Sequence, residues 1–274
     1  MISINGVQIK PTLFPDKTSQ VWQLSDELMA SLYKEGMCTI KWEYENEAEF
    51  IHLAQLKTLL DTRCPYITLD MPYLPYARQD KWVSNETTFA LRTFASLLNS
   101  LNFTEVHVLD AHNNLRANAI NNLVDDSPKK YIEDAFEKSG ANLILFPDAG
   151  AKLRYEAYRV DSYPVYADKT RDQTTGNIKD VTIVGSVANK RVLIVDDICD
   201  GGMTFILVAQ AALKELKDGQ GGATEVYLYV THGIFSKGLT PLYKAGITKI
   251  YTYKGQAVGP VMAGGVPITP ISYR

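Results

Sequence analysis

The sequence predicts an α/β protein of two domains, each a mostly parallel sheet flanked by helices. Short apolar runs of strand length alternate with helical patterns along the chain. One run, Val192–Val195, is apolar throughout, as a central parallel strand covered on both faces must be. Ser127-Pro128 interrupts the pattern near the middle of the 274 residues, which places the domains at residues 1–128 and 129–274.

Taken in order, Val21–Leu24 is compatible with a strand, and Phe50, Leu53, Leu56 and Leu60 share one helix face. Strands are predicted at Tyr66–Met71, Glu105–Leu109, Leu143–Phe146, Val192–Val195, Glu225–Val230 and Lys249–Tyr253. Ala90, Phe94, Leu97, Leu98 and Leu101 fall on one helical face. Phe205, Val208, Ala209, Ala212, Leu213 and Leu216 form another, with Lys214–Lys217 and a Gly-rich stretch as its stop. Residues 161–179 are polar and rich in Tyr, Lys, Arg, Asp and Thr, which predicts either a long mobile loop or a hairpin.

Composition narrows the class. Hydrophobic residues make up 46% and charged residues 22%, as in a soluble globular protein. A net charge of −3 argues against a nucleic-acid partner, which needs a basic stripe, but not against phosphate ligands, which need only a few local donors. Cys38, Cys64 and Cys199 have neither disulfide nor zinc spacing and read as reduced thiols of a cytoplasmic protein. The N-terminus lacks a signal-peptide layout, and the apolar run Phe205–Leu213 is too short to cross a bilayer, so no membrane partner is expected.

The most specific segment is Val192-Leu-Ile-Val-Asp-Asp-Ile-Cys-Asp-Gly-Gly-Met-Thr204. A parallel strand delivers its C-terminal end into the crevice where α/β folds bind ligands. Gly201 and Gly202 let the backbone approach an anion, and the first turn of the following helix offers N–H groups and a favourable dipole. Thr204 is placed to cap that helix and donate to a phosphate oxygen, while Asp196 and Asp197 suit the vicinal hydroxyls of a ribose. The string resembles the phosphoribosyl-diphosphate binding motif shared by type I phosphoribosyltransferases and ribose-phosphate pyrophosphokinases.

Further segments resemble the pyrophosphokinases alone. Pro75-Tyr-Ala-Arg-Gln-Asp-Lys81 is similar to their ATP-holding motif, which assigns Arg78 and Gln79 to the nucleotide; a guanidinium fork also suits phosphate oxygens. Asp110-Ala-His112 resembles the family's Asp-Leu-His, implying that His112 helps to hold Mg-ATP. Phe146-Pro-Asp-Ala-Gly150 resembles Ser-Pro-Asp-Ala-Gly-Gly, implying that Asp148 lies by the metal and the ribose. Phe14-Pro-Asp-Lys-Thr18 resembles the loop that reaches a neighbouring subunit's adenine, which brings in Phe14, Asp16 and Thr18 and at least a homodimer. Lys169-Thr-Arg171 matches a Lys-x-Arg pair on a flexible catalytic loop, so Lys169 and Arg171 are the expected catalytic cations.

The resemblance spans roughly residues 12–255 and implies two phosphoribosyltransferase-like domains, the first for ATP, the second for ribose phosphate. It implies transfer of the β,γ-diphosphate of Mg-ATP to the C1 hydroxyl of ribose 5-phosphate, the sugar's phosphate lying on Asp200, Gly201, Gly202, Met203 and Thr204. Where many members read Asp-Thr-Cys/Gly-Gly-Thr, this chain has glycine at both early positions, leaving more room above the 5'-phosphate. That admits a different acceptor with a larger 5' substituent, such as ADP-ribose in NAD salvage. Two rival classes are a phosphoribosyltransferase and a non-catalytic regulatory relative. Other departures from the family pattern are the short lead-in Met1–Leu13, Trp82–Glu86 in place of further basic residues, Lys17 and Thr18 for Gly and Glu, Ala151 for a second Gly, and the tail Val266–Arg274.

Overall fold

The structure, a computed structural model, describes residues 1–113, 117–158, 164–171, 178–214, 221–258 and 272–273; the side chains of Tyr33, Glu35, Arg171, Ile178, Lys179, Val258, Ser272 and Tyr273 lie outside the described set. It divides into two compact units, Met1–Ser127 and Pro128–Arg274.

The first unit runs β1 (Ile2–Ile4), β2 (Val7–Gln8), β3 (Thr12–Leu13), β4 (Ser19–Gln20), α1 (Asp26–Glu35), β5 (Met37–Trp42), α2 (Glu49–Asp61), β6 (Tyr66–Asp70), α3 (Ala90–Asn99), β7 (Glu105–Leu109) and β8 (Leu123–Asp126). Its sheet has the order β2-β1-β5-β6-β7-β8, parallel from β5 to β8, with β1 antiparallel to β5. Ser25 starts α1 by accepting the Leu28 N–H at 3.3 Å, and Gly36, left-handed at φ 66, ends it. On β5 the side chains alternate: Cys38, Ile40 and Trp42 are buried, and Trp42 lies 6.3 Å from Phe50 of α2 and 6.2 Å from Phe94 of α3, ring to ring. Both helices therefore pack on that one face. The opposite face presents Met37 and Tyr66, both exposed.

Val21–Leu24 is not a strand. The Val21 N–H donates to Gln55 Oε1 at 2.7 Å rather than to a neighbouring strand, so a side chain of α2 takes the place of a ladder partner while Val21 and Leu24 fill the core.

The second unit runs α4 (Lys129–Ser139), β9 (Leu143–Phe146), α5 (Ala149–Tyr155), β10 (Val165–Arg171), β11 (Ile178–Val184), β12 (Arg191–Cys199), α6 (Met203–Leu213), β13 (Glu225–Gly233), α7 (Thr240–Lys244), β14 (Ile247–Thr252), β15 (Gly255–Val258) and β16 (Ser272–Tyr273). The strand order is β11-β10-β9-β12-β13-β14-β15-β16, with the neighbours from β10 to β14 parallel. Two cores cover the two faces. Leu145, Ile194 and Leu228 join Val208 of α6 on one side; Phe146, Leu193 and Tyr229 join Ile132 of α4 on the other. Successive residues of β12 thus point into different cores, which is why Val192–Val195 is apolar without alternation.

Residues 161–179 yield the hairpin rather than a loop where they are described: β10 pairs antiparallel with β11. Lys169 consequently sits within a strand, opposite Val181. The expected helix over Phe205–Leu216 begins at Met203 and ends at Leu213, where Lys214 turns extended at ψ 136; Leu216 lies outside the described residues.

Candidate active site

In the second unit, the loops leaving β9 and β12 meet the end of β10 at the C-terminal edge of the sheet. Asp148, just after β9, starts α5: its Oδ1 accepts the Ala151 N–H at 2.9 Å. Its Oδ2 accepts from Lys169 Nζ at 2.7 Å. Val165, Ala167 and Lys169 occupy one face of β10, so the Lys169 stem continues a buried row and only 7% of its side chain is exposed.

Asp196 and Asp197 lie towards the end of β12. Asp197 is buried and paired with Arg154 of α5, Nη1 to Oδ1 3.1 Å. Its backbone N–H also donates to Asp196 Oδ1 at 3.0 Å. Burial, then the neighbouring Asp197 carboxylate and the charge of Asp148, push the Asp196 carboxyl well above the ordinary carboxylate range. Asp148 moves the other way. Burial opposes its ionisation, but the Lys169 hydrogen bond and charge and the α5 N–H groups outweigh it and lower its pKa. Three carboxylates and two cations therefore share this edge, with Asp196 carrying the electrostatic strain.

Asp200–Thr204 leads from β12 into α6. Gly202 is the residue before the helix, left-handed at φ 78 with no side-chain cap. Thr204 is thus in the first turn and not at the cap position expected from sequence. A Cβ at Gly202 would come 3.1 Å from Leu242 Cδ2. Gly202→Ala should destabilise the protein by roughly 1–2 kcal/mol for the left-handed backbone alone. Gly201→Ala, whose Cβ would meet the Lys237 methylenes at 3.6 and 3.8 Å, should cost far less. Denaturant midpoints of the two variants test this; equal loss in both would contradict it.

In the first unit, Arg78 and Gln79 lie on the loop after β6 and His112 on the loop after β7, at the C-terminal edge of the sheet. Met71 N–H donates to His107 O, and Leu109 N–H to Pro72 O, each at 2.9 Å, so the chain leaving β6 still pairs with β7. Arg78 and Gln79 are exposed, while Asp80 is buried and accepts from Asn113 Nδ2 at 3.1 Å, tying the Arg78 loop to the His112 loop. His112 is half-buried there. Phe14, Asp16 and Thr18 lie elsewhere, on the turn between β3 and β4. Asp16 Oδ1 accepts from Thr18 N–H at 3.0 Å and Thr18 Oγ1 at 2.7 Å, and Phe14, which pairs with Thr18 at the base of the turn, is exposed. A groove of about 630 Å³ between this turn and α2 is lined by Phe14, Thr18, Ile51 and Gln55 among others.

Arg171 ends β10, but its side chain lies outside the described residues. Among the described residues, no three His, Cys, Asp or Glu side chains converge as a metal cage, and no helix is long and apolar enough to cross a membrane. Cys38, Cys64 and Cys199 are buried, and none of them forms a disulfide among the described residues. Sequence reasoning missed Arg154 and Lys237. Arg154 is one of several basic residues near the end of α5, and Lys237 lies far along the chain from the loop it adjoins, so neither is marked by spacing.

No family model matches the chain. A ribose-phosphate pyrophosphokinase from Agrobacterium fabrum is 29% identical over 202 residues, covering 68% of this chain and 61% of that protein. One from Mesorhizobium japonicum is 30% identical over 202 residues, with the same coverage of 68% and 61%. One from Cereibacter sphaeroides is 33% identical over 178 residues, covering 62% and 51%. The matches thus span about three fifths of the length of the first two relatives. A crystal structure of phosphoribosylpyrophosphate synthetase from Mycobacterium smegmatis superposes with a TM-score of 0.59 at 20% identity, covering 80% of this chain and 76% of that one, a likeness of fold.

Proposed function

The chain belongs to the ribose-phosphate pyrophosphokinase family, and on that premise we propose that it moves the β,γ-diphosphate of Mg-ATP to the C1 hydroxyl of ribose 5-phosphate, giving phosphoribosyl pyrophosphate and AMP. The observation that carries this reading is the edge where Asp148, Lys169, Asp196 and Asp197 adjoin a glycine loop and a helix start, a combination suited to a sugar diol on one side and a phosphate on the other.

In this reading the 5'-phosphate lies on Asp200–Thr204 and accepts from the N–H groups of Gly201, Gly202 and Met203 and from Thr204. Asp196 and Asp197 accept from the 2'- and 3'-hydroxyls, and Arg154 holds Asp197 in place for that contact. Arg78 and Gln79 bind the ATP phosphates with His112. Phe14 stacks on the adenine of a neighbouring subunit, its turn shaped by Asp16 and Thr18, so the working unit is at least a homodimer.

The sugar-site edge fits a magnesium ion held mainly by phosphate oxygens and water, which needs only one or two protein oxygens: Asp148 would hold it there, and His112 would steady the nucleotide phosphates. When bound, it neutralises charge on the diphosphate oxygens. The protein's own part is positional and electrostatic. The C1 hydroxyl is held in line with the β-phosphorus; its oxygen bonds to that phosphorus as its proton passes to water, and AMP leaves with the electrons of the broken bond between the β-phosphorus and the α,β-bridging oxygen. Lys169, and Arg171 two positions further along, stabilise the charge spread over the diphosphate.

The test is AMP release from ATP and Mg2+ on addition of ribose 5-phosphate, with one phosphoribosyl pyrophosphate formed per AMP. A phosphoribosyltransferase would need no ATP, and a non-catalytic relative would release no AMP. ADP-ribose is the second acceptor. It is favoured by the open side of Gly201, where, among the described residues, only the flexible Lys237 chain stands within 4 Å of the position a Cβ would take. Clear preference for ribose 5-phosphate in kcat/KM removes that second reading.

A further inference from the structure

Lys237 stands at the phosphate loop without belonging to the motif that defines it. Its Cε lies 3.6 Å and its Cδ 3.8 Å from the place a Cβ of Gly201 would take. The segment that carries it is fixed to the loop's root: Ile234 N–H and Phe235 N–H both donate to Cys199 O, at 2.8 and 3.1 Å. Phe235 is buried and left-handed at φ 48, and Gly238 N–H closes a turn onto Phe235 O at 2.7 Å. The base of Lys237 is thereby held while its ammonium is exposed, and among the described residues it has no ion pair or side-chain hydrogen bond. A lysine beside Gly201 is a mobile point charge able to follow either one phosphate or a longer 5' substituent.

Resting on the function proposed above, we propose that Lys237 is a specificity-determining residue of the sugar site, which binds the 5'-phosphoryl group of the acceptor from the Gly201 side. The shared chemistry is a phosphate on the 5' carbon, whether the monoester of ribose 5-phosphate or the diphosphate ester of ADP-ribose.

Lys237→Met keeps the methylene stem and removes the charge. Calorimetric titration of each acceptor into the Mg2+-loaded chain, without ATP, should show about tenfold weaker binding of the acceptor that the wild type takes, as expected for a charge-assisted contact. Lys237→Arg should restore most of it. In turnover, the loss should fall on KM for the sugar, with KM for ATP unchanged. Unaltered sugar affinity in Lys237→Met overturns the proposal, as does equal weakening towards ATP. A wild-type chain that binds the sugar but releases no AMP overturns diphosphate transfer and not the Lys237 contact. One that binds neither acceptor overturns both.

Discussion

Lys169→Ala is expected to lower kcat by about 10²- to 10³-fold, the range seen when one preorganised donor to a transition state is removed, with KM for ATP nearly unchanged. The reason lies in where the ammonium is held. Lys169 is on β10, with its stem in the row of Val165 and Ala167 and its Nζ fixed 2.7 Å from Asp148. A lysine ammonium has three donors, so the bond to Asp148 leaves two for diphosphate oxygens. A charge already oriented costs no reorganisation as the transition state forms, so its loss appears in turnover rather than in ground-state binding. Steady-state kinetics with both substrates varied checks this. A raised KM for ATP at constant kcat would make Lys169 a simple binding cation, and unchanged kinetics would remove it from the site. Lys169→Arg keeps the charge but replaces a compact ammonium with a planar fork, and should recover only part of the turnover.

Strands are legible in the sequence where apolar runs end in carboxylates. Glu105–Leu109 and Leu143–Phe146 are strands over those same residues, and Asp148, Asp196 and Asp197 lie at a common sheet edge because parallel strands present their C-terminal ends together. Met37–Trp42 escapes a sequence reading although Cys38, Ile40 and Trp42 alternate with Thr39 and Lys41; the buried cysteine and tryptophan are less obvious markers than a Val/Ile run. Polarity masks the hairpin that carries Lys169. β10 and β11 lie at the edge of the sheet, so outward residues such as Asp168 and Thr170 are polar, and only Val165 and Ala167 report the buried face. The Arg154–Asp197 pair is beyond sequence reasoning for a different reason. It depends on the path of α5 back across the end of β12, which no spacing rule encodes. The same holds for Asp80 and Asn113, which join two loops that are 33 positions apart in sequence.

Asp196→Asn should weaken ribose phosphate binding by on the order of 10- to 100-fold, since hydrogen bonds to a charged acceptor contribute roughly 1.5–3 kcal/mol. The same change should raise stability at neutral pH. In the folded chain burial and the neighbouring Asp197 and Asp148 hold the Asp196 carboxyl well above its unfolded value, so between those two values the native state binds the extra proton. Stability therefore falls as pH rises through that window: the favourable contribution is full below the unfolded pKa and is lost as pH passes the folded one. Asparagine is a neutral stand-in for the protonated acid and does not titrate. Wild type and variant should then have similar melting temperatures in acid and diverge as pH rises, with Asp196→Asn the higher near neutrality. Melting curves across pH decide the point; a variant less stable than wild type at neutral pH would show that Asp196 is not strained. A site that is less stable empty than with its acid neutralised, yet binds better charged, has its carboxylates arranged for a ligand rather than for the fold. The hydroxyls and metal ion of the proposed reaction are ligands that would relieve that strain.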